Sequence, residues 1–311
     1  MKNYKLSVVV PSYNEEENVK VLAERLTGVI NNLEVKDYEI IFVNDGSRDN
    51  TLNNVKLMHE QDKHIHYISF SRNFGHQCAL RAGLDAATGD CVISMDADMQ
   101  HPPEIIPEMI AKWQEGYDIV YTLRQESKHL GLFKRLTSKM FYGVINKLSD
   151  IKIQPGAADF RLLDRSVVNA LKGFKENTIF YRGLISWMGF KQFAIEYEPA
   201  DRMFGTSKYT IKKMFAFALS GITSFSVVPL QISTVLGVII SALSFIYAIY
   251  SIIMHFCKQT VSGWTSVMCG VFFLGGIQLI MLGIIGEYIG KLFMEVKGRP
   301  PYIVRESSLD K

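Results

Sequence analysis

Apolar residues in the first 123 positions come in two alternating patterns. Leu6 to Val10, Glu39 to Val43, His66 to Phe70, Cys91 to Met95 and Tyr117 to Leu123 are compact runs bounded by polar or turn-forming residues, as expected of strands buried in a sheet. Between them the spacing turns helical. From Glu15 to Leu33, the residues Val19, Leu22, Leu26, Ile30 and Leu33 fall on one face, and shorter helices are predicted near Leu52 to His59, Ala79 to Ala87 and Ile105 to Glu115. This alternation predicts an α/β domain with a mainly parallel, Rossmann-like sheet and right-handed crossovers.

The polar residues concentrate where those strands end. The first runs into Pro11, Ser12, Tyr13 and Asn14, with Asn14 read as a helix N-cap ahead of Glu15, Glu16 and Glu17. The second ends in Asn44, Asp45 and Gly46, and the fourth in Asp96, Ala97, Asp98, Met99 and Gln100. Open α/β sheets bind ligands at the carboxyl ends of their strands. A dinucleotide fold would need glycines in the first strand-to-helix turn, and Pro11 to Asn18 contains none. Two carboxylates one residue apart, with no neighbouring cation, suit a hard divalent ion placed against a polyphosphate. Mg2+ or Mn2+ is the expected cofactor.

Charge then separates the chain into two parts. From Met214 to Cys257 and again from Gln259 to Gly286 there is no Asp, Glu, Lys or Arg. Both tracts exceed the roughly 20 apolar residues that span a bilayer. The expected organisation is a catalytic domain over residues 1–207, an interfacial helix over 208–228, two transmembrane helices within 229–292 (about 230–256 and 264–288) and a tail over 293–311. A basic, amphipathic helix is also predicted at about 131–147, where Lys134, Arg135 and Lys139 interleave with Leu132, Phe133, Leu136 and Met140. The loop between the spans holds only Lys258, whereas Lys212, Lys213, Lys291, Lys297, Arg299 and Arg305 flank them. The catalytic domain and both termini are therefore expected on the cytoplasmic side of the cell membrane, and no amino-terminal signal peptide is expected.

The segments Val8 to Glu15, Val43 to Ser47, Met95 to Glu104, Ala158 to Asp164, Arg202 to Tyr209 and Gly286 to Gly290 resemble the family 2 glycosyltransferases of the GT-A fold. The resemblance is strongest to bacterial bactoprenol glucosyltransferases and weaker to dolichyl-phosphate mannose synthases. It implies transfer of a hexose, glucose from UDP-glucose, to undecaprenyl phosphate with inversion. Pro11, Tyr13, Glu15, Asp45 and Asp96 would line the nucleotide, and Asp96, Asp98 and Gln100 would hold the metal. Arg124, Arg135, Arg202, Ser207 and Lys208 would meet phosphates of donor or acceptor. Asp98 and Asp159 would carry catalysis, with Asp159 as the base. A phosphomonoester with a second pKa of about 6 is already mostly dianionic at neutral pH, so roles for Asp159 in orienting the acceptor or completing the metal environment stay open, and so does a plain N-cap role.

Rival readings find less support. A processive polysaccharide synthase would carry a Gln-X-X-Arg-Trp motif, but Trp187 follows Ile185 and Ser186. Two spans are too few for a flippase path in one chain, and a non-catalytic membrane adaptor would not need Asp96, Asp98, Asp159, Arg202 and Lys208 together. Cys78, Cys91, Cys257 and Cys269 lack zinc spacing, and the seven histidines form no metal-ligand pattern. Gly270, Gly275, Gly276, Gly283 and Gly286 in the second span permit close helix approach. The resembling family forms homotetramers, so an oligomer is expected; no nucleic acid is expected as a partner.

Overall fold

The computed structural model describes residues 3–124, 156–174, 176, 181–198, 228–256 and 263–309. The described residues up to Glu198, together with those from Arg299 onward, form one compact unit, and those from Val228 to Gly298 form a second.

The first unit is built on an eight-stranded mixed sheet. Its strands are β1 (Lys5–Ser12), β2 (Asp37–Asn44), β3 (Ile65–Phe70), β4 (Cys91–Ser94), β5 (Ile119–Arg124), β6 (Ala157–Asp164), β7 (Gln192–Tyr197) and β8 (Val304–Ser307), in the order β7-β5-β6-β4-β1-β2-β3-β8. The four strands at its centre, β4-β1-β2-β3, are parallel. Helices α1 (Asn18–Ile30), α2 (Thr51–Gln61) and α3 (His76–Ala86) make the crossovers between them. Leu6, Val8, Val10, Ile40, Phe42, Ile93, Val19, Leu22 and Leu26 are all fully buried in one core. Both faces of the central strands are covered, which is why these strands read as continuous apolar runs. At Gly83 an added Cβ would lie 2.1 Å from Val9 Cγ1, so only glycine lets α3 pack this closely on β1.

Beyond β4 the sheet changes direction. A 3-10 turn (Pro103–Ile105) and α4 (Ile106–Gln114) lead to β5. β6 then inserts between β4 and β5, antiparallel to both, and is followed by α5 (Arg165–Lys172) and α6 (Tyr181–Trp187). Because β6 runs opposite to β4, its beginning lies beside the end of β4. Asp159 therefore lies inside a strand, and the N-cap reading fails for it; the cap of α5 is Asp164, whose side chain accepts the Ser166 N–H.

Asn14 likewise does not cap α1, which starts four residues later at Asn18. Its backbone is left-handed (φ 54), and its side-chain oxygen accepts the Arg48 N–H from the loop after β2. The β1 and β2 loops are thereby latched together, with Asn14 N–H on Ser47 Oγ and Glu15 N–H on Thr51 Oγ1.

The second unit consists of two long apolar helices, α7 (Val228–Phe256) and α8 (Trp264–Val296). Each is long and apolar enough to cross a membrane, over Val228–Tyr247 and Phe273–Val296. Their apolar side chains, such as Phe245, Ile246, Phe273 and Leu279, are exposed in the single chain. The predicted helices over 131–147 and 208–228 lie outside the described residues.

The chain beyond α8 is not a loose tail. Val304–Ser307 pairs antiparallel with β3 at the sheet edge. Tyr302 stacks on Phe70 at 4.9 Å, and Lys56 Nζ meets Glu306 Oε2 at 2.6 Å.

Candidate active site

The site forms where the carboxyl ends of β1, β2 and β4 meet the start of β6. Pro11 lies in β1 beyond the last residue that β4 pairs, where its missing N–H leaves no gap in that ladder. Asp45, at the end of β2, is buried. Its two oxygens accept the Phe74 and Gly75 N–H groups at 2.7 and 2.9 Å, which fixes the loop that starts α3. Burial raises its carboxyl pKa, and those two N–H groups only partly counter it. Gly46 lets the loops touch: its φ is +66, and a Cβ there would stand 2.4 Å from the Arg72 backbone carbon.

The turn after β4 is held tightly. Met99 is left-handed at φ 63, a conformation costing a non-glycine residue about 1–3 kcal/mol, and its side chain is fully buried. The Gln100 N–H donates to Asp98 Oδ1 at 3.2 Å. The Asp96 N–H donates to His101 Nδ1 at 2.9 Å, which places the His101 proton on Nε2, 3.8 Å from Asp96 Oδ2. His101 itself is buried, stacked on Phe160 of β6 at 5.3 Å. The Asp96 carboxylate remains about a third open (35 % exposed). Among the described residues no three His, Cys, Asp or Glu side chains gather as a metal cage. Two carboxylates and an amide in one turn nevertheless fit a magnesium-like ion, which keeps waters and takes its remaining ligands from substrate phosphates.

Asp159 is arranged differently. It is buried (8 % exposed), and Arg182 of α6 grips both its oxygens, Nε to Oδ1 at 2.8 Å and Nη2 to Oδ2 at 2.9 Å. Burial alone would raise its pKa; the Arg182 guanidinium and the His76 imidazole overcome that and hold the carboxyl well below the usual range. Arg161, two residues along β6, is buried with Nε on the Ala158 carbonyl, and burial lowers its pKa to about 10 despite the neighbouring Asp159. His76, the first residue of α3, stands between the two carboxylate stations, with Nε2 3.5 Å from Asp96 Oδ1 and 3.7 Å from Asp159 Oδ2. The surrounding protein lowers its pKa, but the two carboxylates prevail and raise it to about 9.

Of the residues expected from the sequence, Asp96 and Asp159 thus meet at His76 in the crevice at the strand ends, Asp98 and Gln100 lie on the same turn as Asp96, and Pro11, Tyr13, Glu15 and Asp45 sit at the adjoining ends of β1 and β2. Arg124 closes β5, exposed, with its N–H on the Gly156 carbonyl. Arg135, Arg202, Ser207 and Lys208 lie outside the described residues. Four residues that the sequence reading gave no role are His76, His101, Arg161 and Arg182. His101 and Arg161 fall inside quoted motifs and could have been found there; Arg182 carries no local signal.

Residues 7–172 match the family model for glycosyl transferase family 2, and residues 228–292 match a GtrB C-terminal hairpin. The chain belongs to glycosyltransferase family 2. This family 2 enzyme is 47% identical over 302 residues to an uncharacterised glycosyltransferase of Synechocystis, spanning 97% of this chain and 95% of the relative. It is 42% identical over 304 residues to a prophage-derived bactoprenol glucosyl transferase of Shigella flexneri, spanning 97% and 98%. Among solved structures it resembles the mannosyltransferase PcManGT of Pyrobaculum calidifontis, determined with GDP-Man and Mn2+. The TM-score is 0.51 at 19% identity, over 72% of this chain and 64% of that one, a likeness of fold. The GT-A architecture and the similarity to bactoprenol glucosyltransferases are both borne out. The matched hairpin and the two apolar helices mark the enzyme as membrane-associated.

Proposed function

We propose that this enzyme transfers a hexose, glucose from UDP-glucose, to the phosphate of undecaprenyl phosphate, inverting the anomeric centre, at the cytoplasmic face of the membrane. The observation that carries the reading is the pairing of a metal-competent turn, Asp96 to Gln100, with a second carboxylate station at Asp159 only one imidazole away. The name of the Shigella relative supports the lipid acceptor.

Asp96, Asp98 and Gln100 would hold Mg2+ or Mn2+, whose positive charge would stabilise the negative charge developing on the nucleoside diphosphate leaving group. Pro11, Tyr13, Glu15 and Asp45 line the nucleoside end. Arg124, with Arg135, Arg202 and Lys208, supplies charge for donor and acceptor phosphates, and Ser207 a hydroxyl donor. His101 keeps the Asp96 backbone in place. The basic flanks of the hairpin support cytoplasmic termini, and the glycines of α8 support an oligomer, a tetramer by family likeness.

The test uses detergent-purified full-length protein with undecaprenyl phosphate, Mg2+ or Mn2+, and a panel of labelled UDP- and GDP-sugars, with Asp98→Asn as control. Label entering the lipid from UDP-glucose, and not with the variant, is the expected result. Label from GDP-mannose, UDP-galactose or UDP-N-acetylglucosamine instead would correct the donor. Transfer from none by folded protein would overturn the reading in favour of a membrane adaptor.

A further inference from the structure

Resting on the transfer reaction just described, we propose that Arg182 is a positioning residue: it holds Asp159 as a fixed, charge-compensated anion beside the acceptor, and Asp159 takes no proton.

The geometry argues this in three steps. First, both Asp159 oxygens are engaged by one guanidinium in two parallel N–H···O bonds at 2.8 and 2.9 Å, and the carboxylate is buried. Bidentate charge-assisted pairs are the strong class of hydrogen bond, and accepting a proton would sacrifice one of them where little water can replace it. Second, Arg161 is buried two residues along β6, near enough for its charge to act on Asp159, so the carboxylate has a second arginine beside Arg182, and an arginine does not give up its charge. The Arg182 grip and the nearby Arg161 offset the Asp159 charge at the start of β6. An unneutralised Asp159 would instead repel a phosphate acceptor.

Third, the reaction balances without a base. A non-bridging oxygen of the dianionic acceptor phosphate forms the new bond to the anomeric carbon. The bond from that carbon to the nucleoside diphosphate breaks, and the diphosphate leaves with the electron pair. No proton changes hands, because a phosphomonoester with a second pKa of about 6 has already lost it.

The experiment measures kcat and KM for both substrates in full-length wild type, Arg182→Ala, Arg182→Lys and Asp159→Asn, with and without guanidinium chloride below denaturing concentrations. Arg182→Ala should lower kcat by about 100-fold, the scale of a misplaced reacting group, with donor KM little changed. Added guanidinium should restore much of that loss, and should do nothing for Asp159→Asn. Arg182→Lys should fall between, about ten-fold down, because a point charge cannot grip both oxygens.

Near-normal kcat in Arg182→Ala would overturn the inference, as would a loss that neither guanidinium nor lysine relieves, which marks a merely structural residue. If Arg182→Ala does not fold, the lysine variant decides alone: a kcat equal to wild type rejects the grip. A wild-type enzyme that transfers nothing overturns the reaction reading beneath; an active wild type indifferent to Arg182 overturns this inference alone.

Discussion

Asp96 and Asp159 begin from the same chemistry and end in opposite circumstances. Both contact the His76 imidazole, one at 3.5 Å and the other at 3.7 Å. Asp96 sits on a turn, about a third exposed, its backbone steadied by His101 while its carboxylate faces the crevice. Asp159 sits inside a strand, buried, with both oxygens taken by Arg182. A carboxylate left open can receive an ion brought by a substrate; one already saturated can only hold its neighbours in place. Environment, more than residue type, assigns the work.

That contrast is broken or sharpened by four measurements, beginning with the largest effect. Asp98→Asn, or chelation of divalent metal from the wild type, should cut sugar transfer by at least about 1,000-fold, the several kcal/mol that a metal supplies at a developing charge. Restoring Mg2+ or Mn2+ should recover the chelated enzyme and not the variant; full activity in chelator would show that the open station holds no ion.

Asp159→Asn should lose about 100-fold in turnover, yet leave Mn2+ affinity in the presence of UDP within a factor of about two, as expected if Asp159 is no ligand of the ion. Calorimetry that found metal binding abolished would merge the two stations into one. Gly46→Ala disturbs the loop that brings His76 between them. A left-handed backbone and overlap with Arg72 together should cost about 2–4 kcal/mol in thermal or denaturant unfolding, and an unchanged melting temperature would contradict the close approach.

Glu39 supplies a control carboxylate remote from the crevice. It is buried, which alone would raise its pKa, but Ser7 Oγ at 2.5 Å, the Thr88 N–H at 2.7 Å and the Lys5 ammonium at 3.5 Å together outweigh burial and lower it. A carboxyl whose folded pKa is depressed contributes stability that is complete above its unfolded value of about 4.3 and is lost as pH falls through the folded value. Glu39→Gln should therefore cost about 1–3 kcal/mol at pH 7, and the gap to wild type should narrow below about pH 4. A gap independent of pH would mean that the carboxylate charge contributes nothing.

Much of this was legible in the chain itself. Asp96 and Asp98 announce themselves because they end an uninterrupted apolar strand, and the crossovers around β1, β2 and β3 follow from their spacing. The strand β6 hides because Asp159 and Arg161 interrupt its apolar run, and Asp159 is held by partners from α3 and α6 that no local window contains. Asn14 misleads for a similar reason: its type suits a cap, but the Arg48 N–H that claims its side chain is 34 residues away. The four-residue β8, largely exposed, has no periodicity to detect.

That last strand has a consequence for how the enzyme is made. Phe70 pairs with Val304, and everything between them, including both apolar helices, leaves the ribosome before the pair can form. The sheet is therefore finished only after the membrane hairpin has been synthesised. Contacts this distant along the chain are the slow ones to form, so the last step in assembling the catalytic domain comes after the segment that anchors it.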